Sequence, residues 1–174
     1  MIGTIVVGVI VLLFGVTAFF GAPYVPSQRR YLRRAFDHFE LISSRDLLVD
    51  IGAGDGRVLR QASARGARAI GYEINPLLAG LASWLSRRDE NVAIIMKNFW
   101  TSPLPDATTI VYAFSVKRDE KRLIKKLTQE AVRLQRPLTL LCLGSPLETL
   151  EAEAKFEAYT LYRFHPIQRK ALTV

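Results

Sequence analysis

A glycine-rich turn directly after a short apolar run constrains the fold of this chain more than any other feature. Three glycines alternate with other residues in the turn: Gly52, Gly54 and Gly56. The run Leu47–Ile51 before it is typical of a buried strand, and Arg57–Arg65 after it has a helical pattern. Because glycine lacks a Cβ atom, such a turn bends sharply and lets a ligand approach the backbone closely. Strand, glycine turn and helix in this order indicate the ligand-binding end of a parallel sheet.

Strand-like runs and helical segments alternate along the rest of the chain. The predicted strands are Leu47–Ile51, Arg68–Glu73, Val92–Lys97, Thr108–Phe114 and Leu138–Leu143. The predicted helices are Ser27–Ile42, Arg57–Arg65, a segment that begins at Pro76 after the N-cap Asn75, and Lys117–Leu134. The tail from Lys155 is expected to form an antiparallel hairpin, with Pro166 separating its first part from Gln168–Val174. The alternation predicts an α/β fold in which helices cover both faces of a mostly parallel sheet.

The beginning of the chain has a different character from the rest. Residues 1–28 carry no side-chain charge, although the whole chain has a formal net charge of +8. As a helix rising about 1.5 Å per residue, the apolar run Ile2–Ala22 would span the roughly 30 Å hydrocarbon core of a bilayer. A cleaved signal peptide is the alternative, but no basic residue precedes the run and Phe20 is bulky for a cleavage site. We therefore predict a retained anchor at 1–22, a juxtamembrane segment at 23–45 and a folded domain at 46–174.

Arginines flank only the C-terminal side of the predicted anchor. The nearest are Arg29, Arg30, Arg33 and Arg34. The positive-inside rule predicts that the domain lies on the cytoplasmic side of the membrane, or on the matrix side in an organelle. Ser27–Ile42 has apolar residues at helical spacing with these arginines on the other face, which predicts an amphipathic helix. The arginines could contact anionic lipid headgroups or only solvent.

Acidic side chains beside the glycine turn indicate which ligand it binds. Asp50 and Asp55 flank the glycines, and Glu73 ends the second predicted strand. The carboxylates would repel the pyrophosphate of NAD or FAD, and the spacing differs from that of dinucleotide-binding turns. S-adenosylmethionine has no phosphate and carries a sulfonium and an ammonium cation, and its ribose hydroxyls can donate hydrogen bonds to Glu73. The acids therefore predict S-adenosylmethionine as the cofactor. A purely structural turn followed by a surface glutamate is the alternative.

Four motifs resemble one family of enzymes. They are PYVPS (Pro23–Ser27), DIGAGDGRV (Asp50–Val58), GYEINPLL (Gly71–Leu78) and KNFW (Lys97–Trp100). From about Pro23 to Trp100, their order and spacing resemble the small membrane-anchored class I protein-lysine methyltransferases that modify mitochondrial carriers and the ATP synthase c subunit, with their prokaryotic relatives. Beyond Ala113 the likeness is faint. The resemblance implies a Rossmann-like class I methyltransferase fold and transfer of a methyl group from S-adenosylmethionine to lysine.

The resemblance also implies roles for individual residues around the cofactor. The methionine part would be surrounded by Asp50, Gly52, Gly54 and Gly56, and Ala53 and Asp55 of the same turn are also predicted to bind the cofactor. Glu73 would hold the ribose, and Asn98 and Phe99 would flank the adenine. Relatives usually have Asp where this chain has Asn98, whose amide oxygen can still accept a hydrogen bond from the adenine amino group.

Candidates for positioning the acceptor amine are Tyr24, Ser27, Tyr112 and Phe114. The PYVPS motif would lie over the active site by resemblance, but a proline-containing linker with Ser27 as a helix N-cap explains it equally well. Of Tyr112 and Phe114, one is expected to face the pocket and the other the core. An aromatic wall disfavours the ammonium form and so lowers the pKa of an acceptor lysine. No Asn-Pro-Pro-Tyr or Asp-Pro-Pro-Tyr motif follows this strand, which argues against base methylation of nucleic acids.

The remaining features leave several interpretations open. Lys117–Arg136 is strongly basic, which fits a solvated helix face, contact with anionic lipid or, least well, RNA binding. The single cysteine and two histidines lack companions at ligand spacing, so we predict no metal site. The main hypothesis is a membrane-anchored methyltransferase acting on lysines of a membrane-associated protein. The alternatives are a methyltransferase acting on a lipid or small molecule at the membrane, and a non-catalytic membrane-bound scaffold of the same fold.

Overall fold

The computed structural model describes residues 28–166, together with Gly3 and Gly8. The predicted anchor Ile2–Ala22 therefore lies outside the described residues apart from these two glycines. The acceptor-positioning candidates Tyr24 and Ser27, and the C-terminal residues 167–174, also lie outside them. Within the described part, no helix is both long and apolar enough to cross a bilayer.

Strands and helices alternate through most of the described chain. The strands are β1 (Leu47–Asp50), β2 (Arg68–Glu73), β3 (Val92–Met96), β4 (Ile110–Ser115), β5 (Leu138–Gly144), β6 (Ala154–Phe156) and β7 (Tyr159–Phe164). The helices are α1 (Arg29–His38), α2 (Arg57–Ser63), α3 (Pro76–Ser86) and α4 (Glu120–Leu134), with a short 3₁₀ turn at Lys117–Asp119. The four helices and strands β1 to β5 each lie within a few residues of their predicted places.

The seven strands form one sheet in the order β3-β2-β1-β4-β5-β7-β6. All neighbouring pairs from β3 to β5 are parallel, and β7 pairs antiparallel with both β5 and β6. The chain fills one half of the sheet from β1 outward to β3 and then returns to begin the other half at β4. This reversal creates a crevice at the carboxyl ends of β1 and β4, where ligands bind in open α/β sheets.

An antiparallel hairpin completes the sheet earlier in the chain than predicted. Its strands are β6 and β7, joined at Glu157 and Ala158, and Glu157 adopts a φ of 54°. Five of the six residues in β7 are buried, since the strand lies between β5 and β6. The hairpin turn therefore precedes Tyr159, and Pro166 follows the second strand.

Two hydrophobic cores lie on opposite faces of the sheet, as alternating strand residues require. Leu48 and Ile110 point to the face covered by α1 and α2, and Val49 and Val111 point to the face covered by α4. The prediction of a mostly parallel sheet with helices on both faces is confirmed.

The loops that connect β1 to α2 and β2 to α3 lie at the crevice. Pro76 occupies the first position of α3, and the side chain of Asn75 caps the helix as predicted. Its Oδ1 atom accepts hydrogen bonds from the N–H groups of Leu77 at 2.9 Å and Leu78 at 3.3 Å. This cap sets where α3 begins, directly beyond the carboxyl end of β2.

Candidate active site

The glycine turn between β1 and α2 is held against β2 by backbone hydrogen bonds. The N–H of Ala53 donates to the carbonyl of Tyr72 at 3.0 Å, and the N–H of Gly56 donates to the carbonyl of Ala53 at 2.8 Å. Gly54 and Gly56 have φ values of 54° and 75°, a region that residues with a Cβ rarely adopt. Two of the three glycines are therefore required by the conformation of the turn.

Gly52 has a different role, because its φ is not positive. A Cβ atom added at Gly52 would have no other heavy atom within 4 Å. The space above this position is open, and Gly52 is exposed to it. The absence of a side chain leaves room for a ligand at the carboxyl end of β1.

Gly71 in β2 is a further requirement of the site that sequence reasoning missed. A Cβ atom there would lie 2.5 Å from Cβ of Ala53 and 2.7 Å from Cδ1 of Leu59. The turn and α2 can pack this closely on β2 only because residue 71 is a glycine. Glycine is unfavourable inside a strand, so a glycine in this predicted strand could have indicated the close packing from the sequence.

Asp50 ends β1 with a carboxylate that is only 2% exposed. Its Oδ1 atom accepts a hydrogen bond from the N–H of Gly52 at 3.1 Å. Burial raises the pKa of this carboxyl to about 7; the Gly52 hydrogen bond lowers it, and the nearby charges of Glu73 and Asp55 raise it. A positive charge on a ligand would therefore stabilise the ionised form of Asp50.

Glu73 ties the glycine turn to the end of β2. One carboxylate oxygen accepts a hydrogen bond from the N–H of Gly54 at 2.8 Å, and the other accepts from Ile74 at 2.9 Å and Asn75 at 2.8 Å. A carboxylate has about four lone-pair positions, so capacity for about one further donor remains. The side chain predicted to hold a ribose thus also holds the turn itself.

Asp55 lies beside the turn, but its carboxylate is directed to α2. Its Oδ2 atom forms an ion pair with the guanidinium of Arg57 at 3.0 Å, and its Oδ1 atom accepts from the N–H of the same residue at 3.1 Å. Arg60 donates to the carbonyl oxygen of Asp55 at 2.7 Å. Among the three acids of the prediction, Asp50 and Glu73 meet at the crevice, whereas Asp55 stabilises the start of the helix.

The loop after β3 contains the residues predicted for the adenine. Asn98 is exposed, and its Oδ1 atom accepts a hydrogen bond from the N–H of Trp100 at 2.9 Å. Phe99 is buried in the core beneath α4, with its ring centroid 5.1 Å from that of Trp100. The Phe99 side chain therefore packs in this core, and a contact of this residue with the adenine remains a prediction.

Two exposed apolar side chains at the same edge of the sheet were not predicted. Ile74 directly follows Glu73, and Met96 pairs with Glu73 in the register of β2 and β3. Both are large hydrophobic side chains left open to solvent at the carboxyl ends of their strands. They can provide an apolar surface for a flat aromatic group beside the carboxylate.

Tyr112 and Phe114 share one face of β4, since residues two positions apart point the same way. Strand alternation therefore does not place them in different environments. Their different positions along the strand do so. Tyr112 pairs with Asp50 in the sheet register and is buried, with a hydrogen bond to Tyr159. Phe114 is half-buried at the end of the strand, where its ring lies against Gly144. Of these two rings, that of Phe114 is the more accessible.

The chemistry of these groups fits S-adenosylmethionine better than a phosphorylated nucleotide. Two buried or nearly buried carboxylates, Asp50 and Glu73, face a turn with open space over Gly52. Their charges would attract the sulfonium and ammonium groups and repel a pyrophosphate. Within residues 28–166 no cluster of His, Cys, Asp and Glu is arranged to hold a metal ion.

Comparison with known proteins agrees with this interpretation. No protein-family model matches the chain. It is 30% identical over 112 residues to the ATP synthase c-subunit lysine N-methyltransferase of Xenopus laevis, covering 62% of this chain and 48% of that protein. It is 34% identical over 93 residues to the mouse adenine nucleotide translocase lysine N-methyltransferase, covering 51% and 39%. A protein-lysine N-methyltransferase of Saccharolobus islandicus is 29% identical over 115 residues, covering 62% and 69%. The chain thus matches about half or less of the two animal relatives.

Three solved structures with a similar fold are named as methyltransferases. An RNA methyltransferase from Salinibacter ruber in complex with S-adenosyl-L-homocysteine superposes with a TM-score of 0.70 at 21% identity, covering 82% of this chain and 94% of that one. A putative methyltransferase from Escherichia coli, yhhF, has a TM-score of 0.64 at 17% identity, covering 83% and 90%. A geranyl diphosphate methyltransferase in complex with SAM has a TM-score of 0.54 at 17% identity, covering 66% and 48%. At these identities the likeness concerns the fold.

These findings confirm the resemblance to protein-lysine methyltransferases with a class I fold and agree with the predicted cofactor. The chain has the fold of class I S-adenosylmethionine-dependent methyltransferases, and the curated proteins related to it in sequence are protein-lysine N-methyltransferases.

Proposed function

We propose that this chain is a membrane-anchored, S-adenosylmethionine-dependent protein-lysine N-methyltransferase. One observation carries the proposal: the glycine turn is closed by Glu73 beside the buried Asp50, in a chain whose sequence relatives are lysine N-methyltransferases. The arrangement suits a cationic cofactor, and the relatives indicate the acceptor. The chain matches about half of its first relatives in length, so its own substrate has to be established by experiment.

The residues of the turn are assigned to the cofactor by their chemistry. Asp50 and the backbone from Gly52 to Gly56 would hold the methionine part, and Glu73 would accept a hydrogen bond from the ribose. Asn98, Ile74 and Met96 would border the adenine. When bound, S-adenosylmethionine supplies a methyl group that is already activated by its sulfonium charge.

The protein must also accept a lysine in its neutral form. Deprotonation of a lysine with a pKa of about 10.4 costs roughly 4.6 kcal/mol at pH 7. Phe114, half-buried at the end of β4 two residues beyond the partner of Asp50, offers an apolar wall that disfavours the ammonium form. Tyr24 and Ser27 remain candidates for orienting the amine.

The membrane part of the proposal depends on the sequence before α1. The uncharged run Ile2–Ala22 is long enough to span a bilayer, and α1 begins with two arginines shortly after it. By the positive-inside rule the methyltransferase domain would lie on the cytoplasmic or matrix side. Lysines of membrane-associated proteins would then be the nearest acceptors.

Labelling with tritiated S-adenosylmethionine tests this function. Purified full-length protein in vesicles is incubated with membranes from its host, and the label is followed into protein, lipid and RNA fractions. We expect the label to enter protein and to be recovered as methyl-lysine after acid hydrolysis. In the control with the D50N variant, this label should be lost. Label confined to lipid or RNA would contradict the lysine assignment. If titration calorimetry showed no heat of binding when the cofactor is added, the result would indicate a non-catalytic scaffold.

A further inference from the structure

Helix α3 exposes an apolar face that the fold does not use. Of the seven exposed large hydrophobic side chains among the described residues, six lie on α3 or beside its N-terminus: Ile74, Leu77, Leu81, Trp84, Leu85 and Met96. Leu77, Leu81, Trp84 and Leu85 follow each other at helical spacing and are between 40% and 60% exposed. We refer to these four residues as the α3 apolar face.

The opposite side of α3 already provides the packing that the domain needs. Leu78, Ala79 and Ala82 are buried, and Ala82 lies directly against the start of α2 at Gly56. A surface helix of a soluble domain normally presents polar and charged residues outward. Pro76–Ser86 contains no charged residue, and its outward side is hydrophobic. Exposed apolar patches of this kind mark contact with a membrane or another protein.

The chemistry at the end of the face favours a lipid bilayer. Arg87 and Arg88 directly follow α3, and both are exposed. The guanidinium of Arg87 lies 4.7 Å from the centre of the Trp84 ring and donates a hydrogen bond to the Trp84 carbonyl at 2.7 Å. Leucine and tryptophan on one face with arginine at its edge are the composition of helices that lie in the bilayer interface.

A basic surface lies on the same side of the sheet. Helices α1 and α3 both pack beside α2: Arg65 pairs with Asp37 of α1 at 2.6 Å, and Ser63 donates to Asp89, just beyond α3, at 2.7 Å. A surface cavity beside α1 is lined by Asp37, which pairs with Arg33 and Arg65, and by five arginines, so that its net charge is positive: Arg29, Arg30, Arg33, Arg34 and Arg65. Each basic residue near an anionic membrane surface contributes about 1 kcal/mol of attraction. The charge of this helix layer therefore matches an anionic bilayer.

The chain that precedes α1 brings this layer close to the predicted anchor. At most about 25 Å of extended chain separates Ala22 from Arg29. If Ile2–Ala22 spans the membrane, α1 begins near the surface of the bilayer. The α3 apolar face is part of the same helix layer and can reach that surface too.

We propose that the α3 apolar face lies in the interfacial region of an anionic bilayer and acts as a second membrane attachment. This inference rests on the proposed function, because the anchor supplies the proximity. The face begins at Leu77, four residues after Glu73, so its immersion would hold the cofactor crevice near the level of the lipid headgroups. The enzyme would then select acceptor lysines that lie close to the membrane surface.

The two tryptophans of the chain allow a direct test. The full-length protein is reconstituted into phosphatidylcholine–phosphatidylglycerol vesicles with ordinary or brominated acyl chains, since bromine quenches tryptophan emission at short range. In the variant W100F only Trp84 emits. In the matched control W84F only Trp100 emits, from its half-buried place beneath Arg122.

We expect brominated lipid to quench Trp84 at least twofold and to leave Trp100 nearly unchanged. Equal Trp84 emission in the two kinds of vesicle would overturn the proposal. Protection of Trp84 from aqueous acrylamide without quenching by bromine would show that a second copy or residues 4–27 cover the face, which also overturns it. If W100F does not fold, subtracting the emission of W84F from that of the unaltered chain gives the Trp84 signal.

Failure of this inference is distinguishable from failure of the anchor. Vesicles are washed at alkaline pH and the bound protein is measured before the fluorescence experiment. Protein that stays bound with Trp84 unquenched rejects the second attachment alone. Protein that is washed off rejects the anchor on which the inference rests.

Discussion

At the scale of single residues, the site contains one carboxyl group, that of Asp50, which is held where ionisation is unfavourable. Asp50 is buried beside Glu73 and Asp55, and burial raises its pKa to about 7. An acid whose pKa is higher in the folded than in the unfolded state stabilises the fold below the unfolded pKa, near 3.9. In the protein without cofactor this contribution is lost as the pH rises from about 4 through 7. A bound cation opposes the preference of Asp50 for its protonated form, because it stabilises the carboxylate.

Cofactor affinity should therefore depend on pH through Asp50. We expect S-adenosylmethionine to bind more tightly as the pH rises from about 6 to 8, because more of the Asp50 carboxyl is ionised. Calorimetric titration of D50N should show binding at least about tenfold weaker at pH 8, since a hydrogen bond to a charged group contributes about 1.5–3 kcal/mol. The variant should also lose the pH dependence. If the cofactor affinity of D50N depended on pH as steeply as that of the unaltered protein, the pH dependence would belong to another group.

Two glycines of the site offer a matched pair of alanine variants. A Cβ at Gly71 collides with Ala53 and Leu59, so G71A should lose about 1–3 kcal/mol of folding stability. For a chain of this size, thermal unfolding should shift downward by about 2–4 °C per kcal/mol. A Cβ at Gly52 meets open space, so G52A should unfold at nearly the unaltered temperature but bind the cofactor more weakly. Unimpaired binding by G52A would show that the cofactor does not pass over this position.

At the scale of secondary-structure elements, helix α4 holds the loop that follows β3. Glu130 is buried, and its Oε2 atom accepts hydrogen bonds from the N–H of Leu104 at 3.2 Å and from Arg133 at 2.8 Å. Its other oxygen pairs with Lys126 at 3.1 Å. The Tyr72 hydroxyl donates to the carbonyl of Pro103 at 2.9 Å and ties the same loop to β2. Part of the basic segment Lys117–Arg136 is thus used inside the protein to position the loop.

The variant E130Q should loosen this loop. Lys126 and Arg133 would face a neutral amide, and we expect a loss of about 1–3 kcal/mol in the free energy of unfolding, measured by urea denaturation. The matched control E148Q removes an exposed carboxylate that pairs with Lys117 at 2.8 Å, and its effect on stability should be much smaller because solvent screens an exposed ion pair. Cofactor binding should weaken in E130Q and not in E148Q. Equal effects of the two variants would exclude a positioning role for Glu130.

At the scale of the whole molecule, an uncharged segment precedes a strongly basic domain. The net charge of +8 resides entirely after residue 28, and arginines begin directly at α1. If Ile2–Ala22 spans a membrane as proposed, this asymmetry would favour one orientation, because translocation of the basic flank is disfavoured. The crevice at the carboxyl ends of the strands would then be reached from the cytoplasm or matrix.

Membrane fractionation tests this orientation. We expect the full-length chain to remain with membranes washed in alkaline carbonate, since a spanning helix is not extracted. Protease should remove the domain from inside-out vesicles and spare it in right-side-out vesicles. Release by carbonate would reject the anchor, and a mature chain shortened by its first 22 residues would identify Ile2–Ala22 as a cleaved signal.

Much of the site could be predicted because its signals are local. The three alternating glycines, the acid that ends each of the first two strands and the Asn75–Pro76 helix start all act within a few residues of chain. The alternation of strands and helices was equally local and predicted the parallel sheet. The turn at Glu157 was missed, because a positive φ at a non-glycine residue leaves little trace in sequence.

The sequence by itself determined the parallel α/β fold and the acidic glycine turn, since both follow from neighbouring residues and their spacing. Only the tertiary structure decided that Glu73 closes the turn over Gly54, that Gly71 must lack a Cβ, and that the Phe99 ring is buried. It also decided that Leu81 and Trp84 face outward. The physical reason is that these outcomes depend on which elements pack together, and burial is a property of the assembled layers rather than of any short stretch of chain.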